Sequence, residues 1–513
     1  MAGVSVPATA PSQLAPAHAA KPLSAVGQLR ASRSAQVVLA LTVFAAALRF
    51  GTLDVQSAWL DESATIVLVR RGLGGMLSHL SASESTPPLY YTLVWAWTKI
   101  FGTGVIGFRS FSALVGTLTV PVMYLAGRRV SPRVGCWAAA LTAVNPAMYY
   151  YSQEARAYAL LILFSAAAIV FWGRALDSGD KRALGWWTVT SILALLTHYF
   201  AVFLFIPEAV MLVGRLGLRR VRLPIAAIVL TGVALLPLAA SERQSGKANW
   251  IENSSLLSRA AEAPKQFLVG LYGPQEIVTA LLTGLLAAGA VALIVYRAGA
   301  RERELARQLA IVAAAAVFVP LLLAFSHIFD AFDGRNVIAG WVPCALVVAI
   351  GIAGAGARRA GTATGVGICL VSLLVIVSID TKPAYQRDDW RAVAKGIPAR
   401  VSDSVIVTPE NSLLPLGIYV PALQKTGSNS VLTREVEFVA LRVRQTGRAP
   451  SPAVVPTSPP AGFYPAGIVR TETYAISRFV APRPVSTSTS ELHRMTSEAG
   501  SEVLVRGSVT PKS

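Results

Sequence analysis

The chain has 513 residues, 54% of them hydrophobic and only 14% charged, with a formal net charge of +19. A mean hydropathy of +0.54 is too apolar for a soluble globular protein of this length and indicates a polytopic membrane protein. The positive charge does not indicate a nucleic-acid partner, because the basic residues lie in short loops between apolar runs rather than on one soluble face.

In chain order, residues 1–35 are rich in Ala, Pro and Ser, carry Lys21, Arg30 and Arg33, and lack apolar periodicity. They read as a disordered cytoplasmic tail ahead of an uncleaved anchor. Apolar runs long enough to cross a bilayer follow near 36–53, 109–127, 134–150, 157–173, 184–199, 200–214, 223–240, 276–296, 308–326, 336–356 and 362–379. The run 88–101 is short and rich in Tyr and Trp, the residues of a membrane interface, and is expected to be a helix lying on the surface. The cysteines, Cys136, Cys344 and Cys369, fall inside apolar runs and have no disulfide or zinc spacing.

With the tail inside, the loops holding Arg128, Arg129 and Arg133, then Arg174 to Arg182, Arg215 to Arg222, Arg297 to Arg307, and Arg358 and Arg359 all fall on the cytoplasmic side. The positive-inside rule is then satisfied at each of them; counting 88–101 as a span would break it. The other side receives the first extracytoplasmic loop, 54–108, and the segments around 151–156, 198–199, 241–275 and 327–335. It also receives everything after Asp380. Segment 381–513 turns polar and rich in Pro, Ser and Thr. Strands are expected at Val405–Val407 and Val436–Val443, a helix is expected from Asp388, and poor order is expected near 446–462 and after about 482. The fold class is therefore an all-α polytopic membrane protein with about eleven spans plus interfacial helices, in a domain over 36–380, followed by a small C-terminal extracytoplasmic α/β domain over 381–513.

The candidate chemistry gathers on that outer face. Asp61 and Glu62 stand just past the first span, in the stretch WLDESAT. Carboxylates beside a bilayer are costly, and although helix capping explains one of them, it does not explain two. Such a carboxylate could take a proton from an attacking hydroxyl or help hold a divalent cation. The loop Gly72–Gly75 lacks the Lys-Ser/Thr of a nucleotide cradle and reads as a flexible turn. Glu84, ahead of Thr86-Pro87-Pro88, is equally readable as a ligand or as a surface acid. Tyr149, Tyr150, Tyr151 and Tyr158 fit an interfacial aromatic belt. Arg156, an outer-face arginine against the charge bias, favours anion binding. His198 is readable as a capped helix-end side chain or as a phosphate contact. Arg335, in Asp333-Gly334-Arg335-Asn336, stands at the outer mouth of a span, at the level of a lipid phosphate. Acids for a hydroxyl nucleophile and cations for a membrane-level phosphate suggest group transfer from a lipid-linked phosphate donor. The alternative class, a transporter or lipid flippase, would favour midplane charges and internal duplication, and neither is evident.

In order along the chain, WLDES, ESTPPLYY, YYSQEARAYAL, THYFA, GRN and YQRDDWRAVA resemble the bacterial glycosyltransferase family 39 and its relatives among the lipid A aminoarabinose and galacturonic acid transferases, all of GT-C architecture. The resemblance covers roughly 36–395. It implies an inverting transfer of a sugar from a polyprenyl-phosphate donor to a cell-envelope acceptor on the outer face of the plasma membrane. In that reading Asp61 activates the acceptor with Glu62 beside it, and Glu154 is a second-loop acid near the donor or a metal. Arg156, His198 and Arg335 would hold the lipid phosphate, while Glu84 and Tyr90 would contact the acceptor or its loop. No nucleotide or redox cofactor is implied; a divalent metal cation at Asp61 and Glu154 is allowed. Two departures stand out: Arg335 is followed by Asn336 where relatives often show Tyr, and His198 stands where relatives can carry Lys, which would make phosphate binding sensitive to pH.

Overall fold

The computed structural model describes residues 25–247, 249–354, 356, 358–397, 404–442, 451–496 and 500–506. Its helices run α1 (Ala25–Gly51), α2 (Leu60–Arg70), α3 (Gly72–Ser83), α4 (Leu89–Phe101), α5 (Val105–Gly127), α6 (Pro132–Val144) and α7 (Pro146–Ser152). They continue as α8 (Tyr158–Ser178), α9 (Lys181–Thr197), α10 (Val202–Leu216), α11 (Leu218–Gln244), α12 (Asn249–Glu252), α13 (Leu256–Val269) and α14 (Glu276–Arg297). The series closes with α15 (Ala300–Phe325), α16 (Trp341–Ala353), α17 (Arg358–Thr381), α18 (Trp390–Gly396), α19 (Leu413–Tyr419) and α20 (Thr489–Met495).

Every expected apolar run contains a helix. Among the described residues eight helices are long and apolar enough to cross a membrane, and α16 is a shorter apolar one. The run 134–150 divides into α6 and α7. Asn145 turns the chain between them and its Oδ1 accepts from the backbone N–H of Ala147 and Met148, while Pro146 opens α7 without wasting an amide. The interfacial reading of 88–101 fits α4, whose 13 residues span about 20 Å against a hydrocarbon core of about 30 Å. Residues 25–35, expected within the disordered tail, belong to α1 instead, and residues 1–24 lie outside the described residues. The Gly72–Gly75 stretch is likewise not a free turn: Gly72, at φ 79°, makes the corner and the rest enters α3.

The largest core is built by α5, α6, α8, α9, α10 and α16 around fully buried Trp172 and Trp187. Both indoles donate to Glu208, one to its backbone carbonyl and one to Oε2. Arg49 of α1 is fully buried and donates to the carbonyls of Thr142 and Ala143 and to Ser152 Oγ. It thereby satisfies the carbonyls that the α6–α7 break leaves open. By contrast α11 and α14 keep large apolar side chains such as Leu230, Leu236, Leu281 and Leu285 exposed, as lipid-facing helices do.

The C-terminal region folds as one six-stranded sheet, order β2-β6-β1-β3-β5-β4, with β1 parallel to β3 and the remaining pairs antiparallel. The strands are β1 (Ser404–Pro409), β2 (Leu423–Lys425), β3 (Ser430–Leu441), β4 (Tyr464–Arg470), β5 (Tyr474–Ser488) and β6 (Ser501–Arg506). Both expected strands are present, in β1 and in β3 as far as Leu441; Val443 lies outside the described residues. The expected helix is α18, where Asp389 caps by accepting from Ala392 N–H. Among the described residues after 482 poor order is not found: β5 continues to Ser488, and β6, between β2 and β1, sets buried Val503 and Leu504 on its two faces, while 497–499 and 507–513 lie outside the described residues. Within 446–462, residues 451–462 hold no regular strand or helix but bury Val455, and 446–450 lie outside the described residues.

This domain docks on the segment just before α2. Tyr419 Oη accepts from Ala58 N–H at 2.7 Å, Ser57 Oγ donates to Asp389 Oδ1 at 2.9 Å, and Arg391 donates to the Asp54 carbonyl at 2.8 Å. The loop that presents Asp61 is therefore held between the helical bundle and the appended sheet.

Candidate active site

Asp61 and Glu62 occupy the first turn of α2, whose N-cap residue is Trp59. Neither caps the helix: no side chain accepts from its free amides, so the capping explanation fails for both. Successive residues on a helix point about 100° apart, and the two carboxylates diverge accordingly.

Glu62 points inward and is fully buried. Its Oε1 accepts from Arg109 Nε at 2.8 Å and Ala155 N–H at 3.0 Å. Its Oε2 accepts from Arg109 Nη2 at 2.6 Å and Arg387 Nη1 at 3.0 Å. Burial works against its charge, but Arg109 and then Arg387 more than offset this and hold the carboxyl below its usual range. Both oxygens are engaged, so Glu62, expected beside Asp61 as a catalytic acid, is closed in by its partners and has no opening toward the rim. The same two arginines extend the brace: Arg109 donates to the carbonyls of Leu53, Gln56 and Ser57, and Arg387 to those of Gln153 and Tyr150.

Asp61 faces the other way. Its side chain is 23% exposed and its Oδ2 accepts from Arg335 Nη1 at 2.7 Å. Arg335 Nε donates to Asp333 at 3.2 Å, and its guanidinium lies 4.8 Å from the centroid of the exposed Trp250 ring. Gly334 permits this turn, since any Cβ there would meet the Gln266 side chain. The arrangement is a partly open carboxylate oriented by a partly open cation.

Glu154, between α7 and α8, is buried, and its Oε2 has no hydrogen-bond partner among the described residues. Burial, reinforced by the charges of Glu62 and Asp61 and opposed by Arg387 and Arg156, pushes its pKa up to about 7. Arg156 is buried and donates to Glu84, whose other oxygen accepts from Thr65 Oγ1 at 3.3 Å. The expected anion-binding arginine thus already holds a carboxylate, and Glu84 is a buried partner, not a surface acid. Tyr90, expected to contact the acceptor, is fully buried with its hydroxyl on Ser112 at 3.2 Å, so it supports α4 against α5. His198 is buried, its Nδ1 accepts from Phe200 N–H, and Tyr158 lies with its ring centroid 6.0 Å away. Burial first, and Arg156 next, lower its pKa to about 4 against an opposing Asn336 hydrogen bond, which favours the neutral imidazole. Among the described residues no group of three or more His, Cys, Asp or Glu side chains is placed to hold a metal ion, and Asp61 faces the Arg335 guanidinium.

Sequence reasoning missed Arg109 and Arg387. Arg109 opens an apolar run, where an arginine is a functional signal in its own right. Arg387 lies in YQRDDWRAVA, a motif quoted for the resemblance but given no role.

Residues 85–241 match the family model described as dolichyl-phosphate-mannose-protein mannosyltransferase. No curated protein matches the chain. Among solved structures, ArnT from Cupriavidus metallidurans bound to undecaprenyl phosphate aligns with TM-score 0.50 and 14% identity, covering 90% of this chain and 99% of that one. The archaeal oligosaccharyltransferase of Archaeoglobus fulgidus, tethered with an acceptor peptide, aligns at TM-score 0.43 and 11% identity over 71% of this chain and 57% of that one. The protein O-mannosyltransferase complex of S. cerevisiae bound to its sugar donor aligns at TM-score 0.31 and 21% identity over 42% and 34%. The near-complete overlap with ArnT shows that the fold expected from the sequence is the fold the chain adopts.

Proposed function

The chain has the membrane fold of ArnT, and we propose that it is a glycosyltransferase of GT-C architecture whose donor is a polyprenyl-phosphate sugar and whose acceptor is a cell-envelope hydroxyl presented at the outer face of the plasma membrane. The observation that carries this reading is the Asp61–Arg335 pair, a carboxylate and a cation side by side and both partly open to solvent. Undecaprenyl phosphate in the ArnT structure, which has the same fold, supports the choice of donor.

Asp61 takes the proton of the acceptor hydroxyl as its oxygen bonds to the anomeric carbon. The bond from that carbon to the phosphate oxygen breaks on the opposite face, inverting the centre, and the electron pair leaves with the lipid phosphate. Arg335 is placed to exchange its contact with Asp61 for one with that phosphate, where a fixed cation stabilises the charge that develops. Glu62, Arg109 and Arg387 hold the loop that carries Asp61. The transporter alternative has no observation in its favour. The N-terminus is cytoplasmic and the C-terminal sheet extracytoplasmic in this reading, which the loop charges support.

The test is Asp61→Asn in membranes supplied with a panel of lipid-phosphate sugars, with mass analysis of the product. Loss of transfer by about 10²–10⁴-fold is expected for removal of a general base, with protein level kept. Transfer at the wild-type rate would remove Asp61 from the mechanism. Chelator treatment in the same assay decides whether a divalent cation takes part.

A further inference from the structure

At the end of the bundle opposite Asp61, a cleft of about 320 Å³ opens between α8, α10 and α15. The helices themselves establish that it is the far end. Arg109, near the start of α5, reaches Glu62, whereas Arg129 lies just past the end of that helix. Tyr158 starts α8 beside His198, whereas Asp177 stands in its last turn. Three guanidiniums, those of Arg129, Arg215 and Arg307, meet here from three separate elements, against two carboxylates.

Both carboxylates are already committed. Asp177 takes Arg129 in a two-point pair at 2.8 and 2.9 Å, and Glu304 takes Arg307 likewise at 2.9 and 2.8 Å with Gln308 Nε2 added at 2.9 Å. Arg215, exposed in the last turn of α10, makes no hydrogen bond or ion pair among the described residues. A Coulombic pull toward Asp177 or Glu304 has not drawn it in, because each acid is filled by a bidentate partner. The cleft is therefore a cationic mouth with one unspent arginine and two held in fixed orientation, the form in which guanidinium best meets a phosphate.

Below the mouth the lining turns apolar. Leu176, Met211 and Ile311 come from the membrane-crossing parts of α8, α10 and α15, and Ile311 is 41% exposed. A free inorganic anion has no use for that wall, whereas acyl chains do. Basic pockets between membrane helices at this level are suited to anionic headgroups. We propose that this cleft binds an anionic glycerophospholipid from the leaflet at that end, its phosphate on Arg215 with Arg307 and Arg129 flanking it, and its acyl chains along Met211 and Ile311. The site is separate from the sugar-transfer centre and does not depend on the reading given to that centre.

The test is native mass spectrometry of the full-length protein in detergent, titrated with dioleoyl phosphatidylglycerol or dioleoyl phosphatidylcholine. Wild type should retain the anionic lipid preferentially. The doubly substituted Arg215→Ala, Arg307→Gln protein should bind it about thirtyfold more weakly, given about fivefold per lost surface cation. Both side chains are exposed, so the fold is expected to survive; an unchanged melting temperature checks this. Arg219→Ala with Arg359→Ala, two exposed arginines outside the cleft, should leave retention unchanged and so separates the cleft from general cationic attraction. Equal retention of both lipids, wild-type retention in the cleft variant, or an equal loss in the control would each overturn the proposal. Displacement of the lipid by millimolar inorganic phosphate would show a bare anion site instead of a lipid site.

Discussion

On the first turn of α2 two adjacent carboxylates meet opposite surroundings. Glu62 turns into the protein, where Arg109, Arg387 and the Ala155 amide give it four hydrogen bonds; Asp61 turns toward a half-open rim, where it meets one arginine. A carboxylate with every lone-pair direction occupied has little capacity left for a substrate proton. The one with a single partner has that capacity. The difference teaches that an acidic pair beside a membrane can be one working group and one brace, and that the brace is the more deeply buried of the two.

The sharpest way to break this comparison is to remove the brace. Glu62→Ala leaves two guanidiniums buried without their carboxylate, and loss of one partner from a buried ion pair costs about 3–5 kcal/mol. The expected result is a large drop in melting temperature in detergent and a loss of folded protein in membranes. Asp61→Asn, at a partly exposed site, should leave the melting temperature within about 1 kcal/mol of wild type. If the two variants were equally destabilised, the division into brace and working group would fall.

That division was beyond reach in the sequence for a definite reason. Apolar runs declare themselves locally, so the helical architecture, the interfacial α4, and strands β1 and β3 could all be anticipated from windows of ten to twenty residues. Glu62 is held by Arg109, 47 positions away, and by Arg387, 325 positions away, and nothing in any of these stretches names the others. In the sequence Arg156 stands out as an anion binder because its expected side of the membrane makes it unusual; what makes it unusual in the structure is Glu84, 72 positions back. The break at Asn145-Pro146 was readable from capping chemistry but invisible to hydropathy, which sees one continuous apolar run. Residue types and their face of the bundle were thus legible, while the pairing that separates the half-open carboxylate from the buried brace was not.

Glu154 sharpens the comparison from a third position, as a buried acid with neither the full set of donors that holds Glu62 nor the opening that serves Asp61. Its pKa stands near 7 against an ordinary 4.5. A carboxyl raised in the folded state favours folding through its protonated form. Its contribution is therefore complete below about pH 4.5 and is lost as pH rises toward about 7. Glu154→Gln keeps the neutral form at every pH, so the stability difference between variant and wild type should grow in the variant's favour across that window and level off above it. Parallel stability curves from pH 4.5 to 8 would show that Glu154 does not titrate there. His198, lowered to about 4 from an ordinary 6.5, makes a contribution that is complete above about pH 6.5 and lost as pH falls toward 4; it is common to variant and wild type and so drops out of their difference.

The smallest expected effect concerns Tyr90, which lies on α4. Its ring packs in the core with Phe111 at 5.8 Å between centroids, and its hydroxyl meets Ser112 Oγ. Tyr90→Phe removes one neutral hydrogen bond and leaves the Ser112 hydroxyl without that partner in a buried setting, a cost of about 1 kcal/mol. Sugar transfer should be unchanged at saturating acceptor, and the KM for acceptor should not move. A rise in that KM with stability preserved would return Tyr90 to the acceptor site and would mean that α4 moves during turnover to uncover it. With both stability and KM read in one variant, the packing role and the binding role give opposite results, so the brace and the working rim can be told apart even at the position where they differ least.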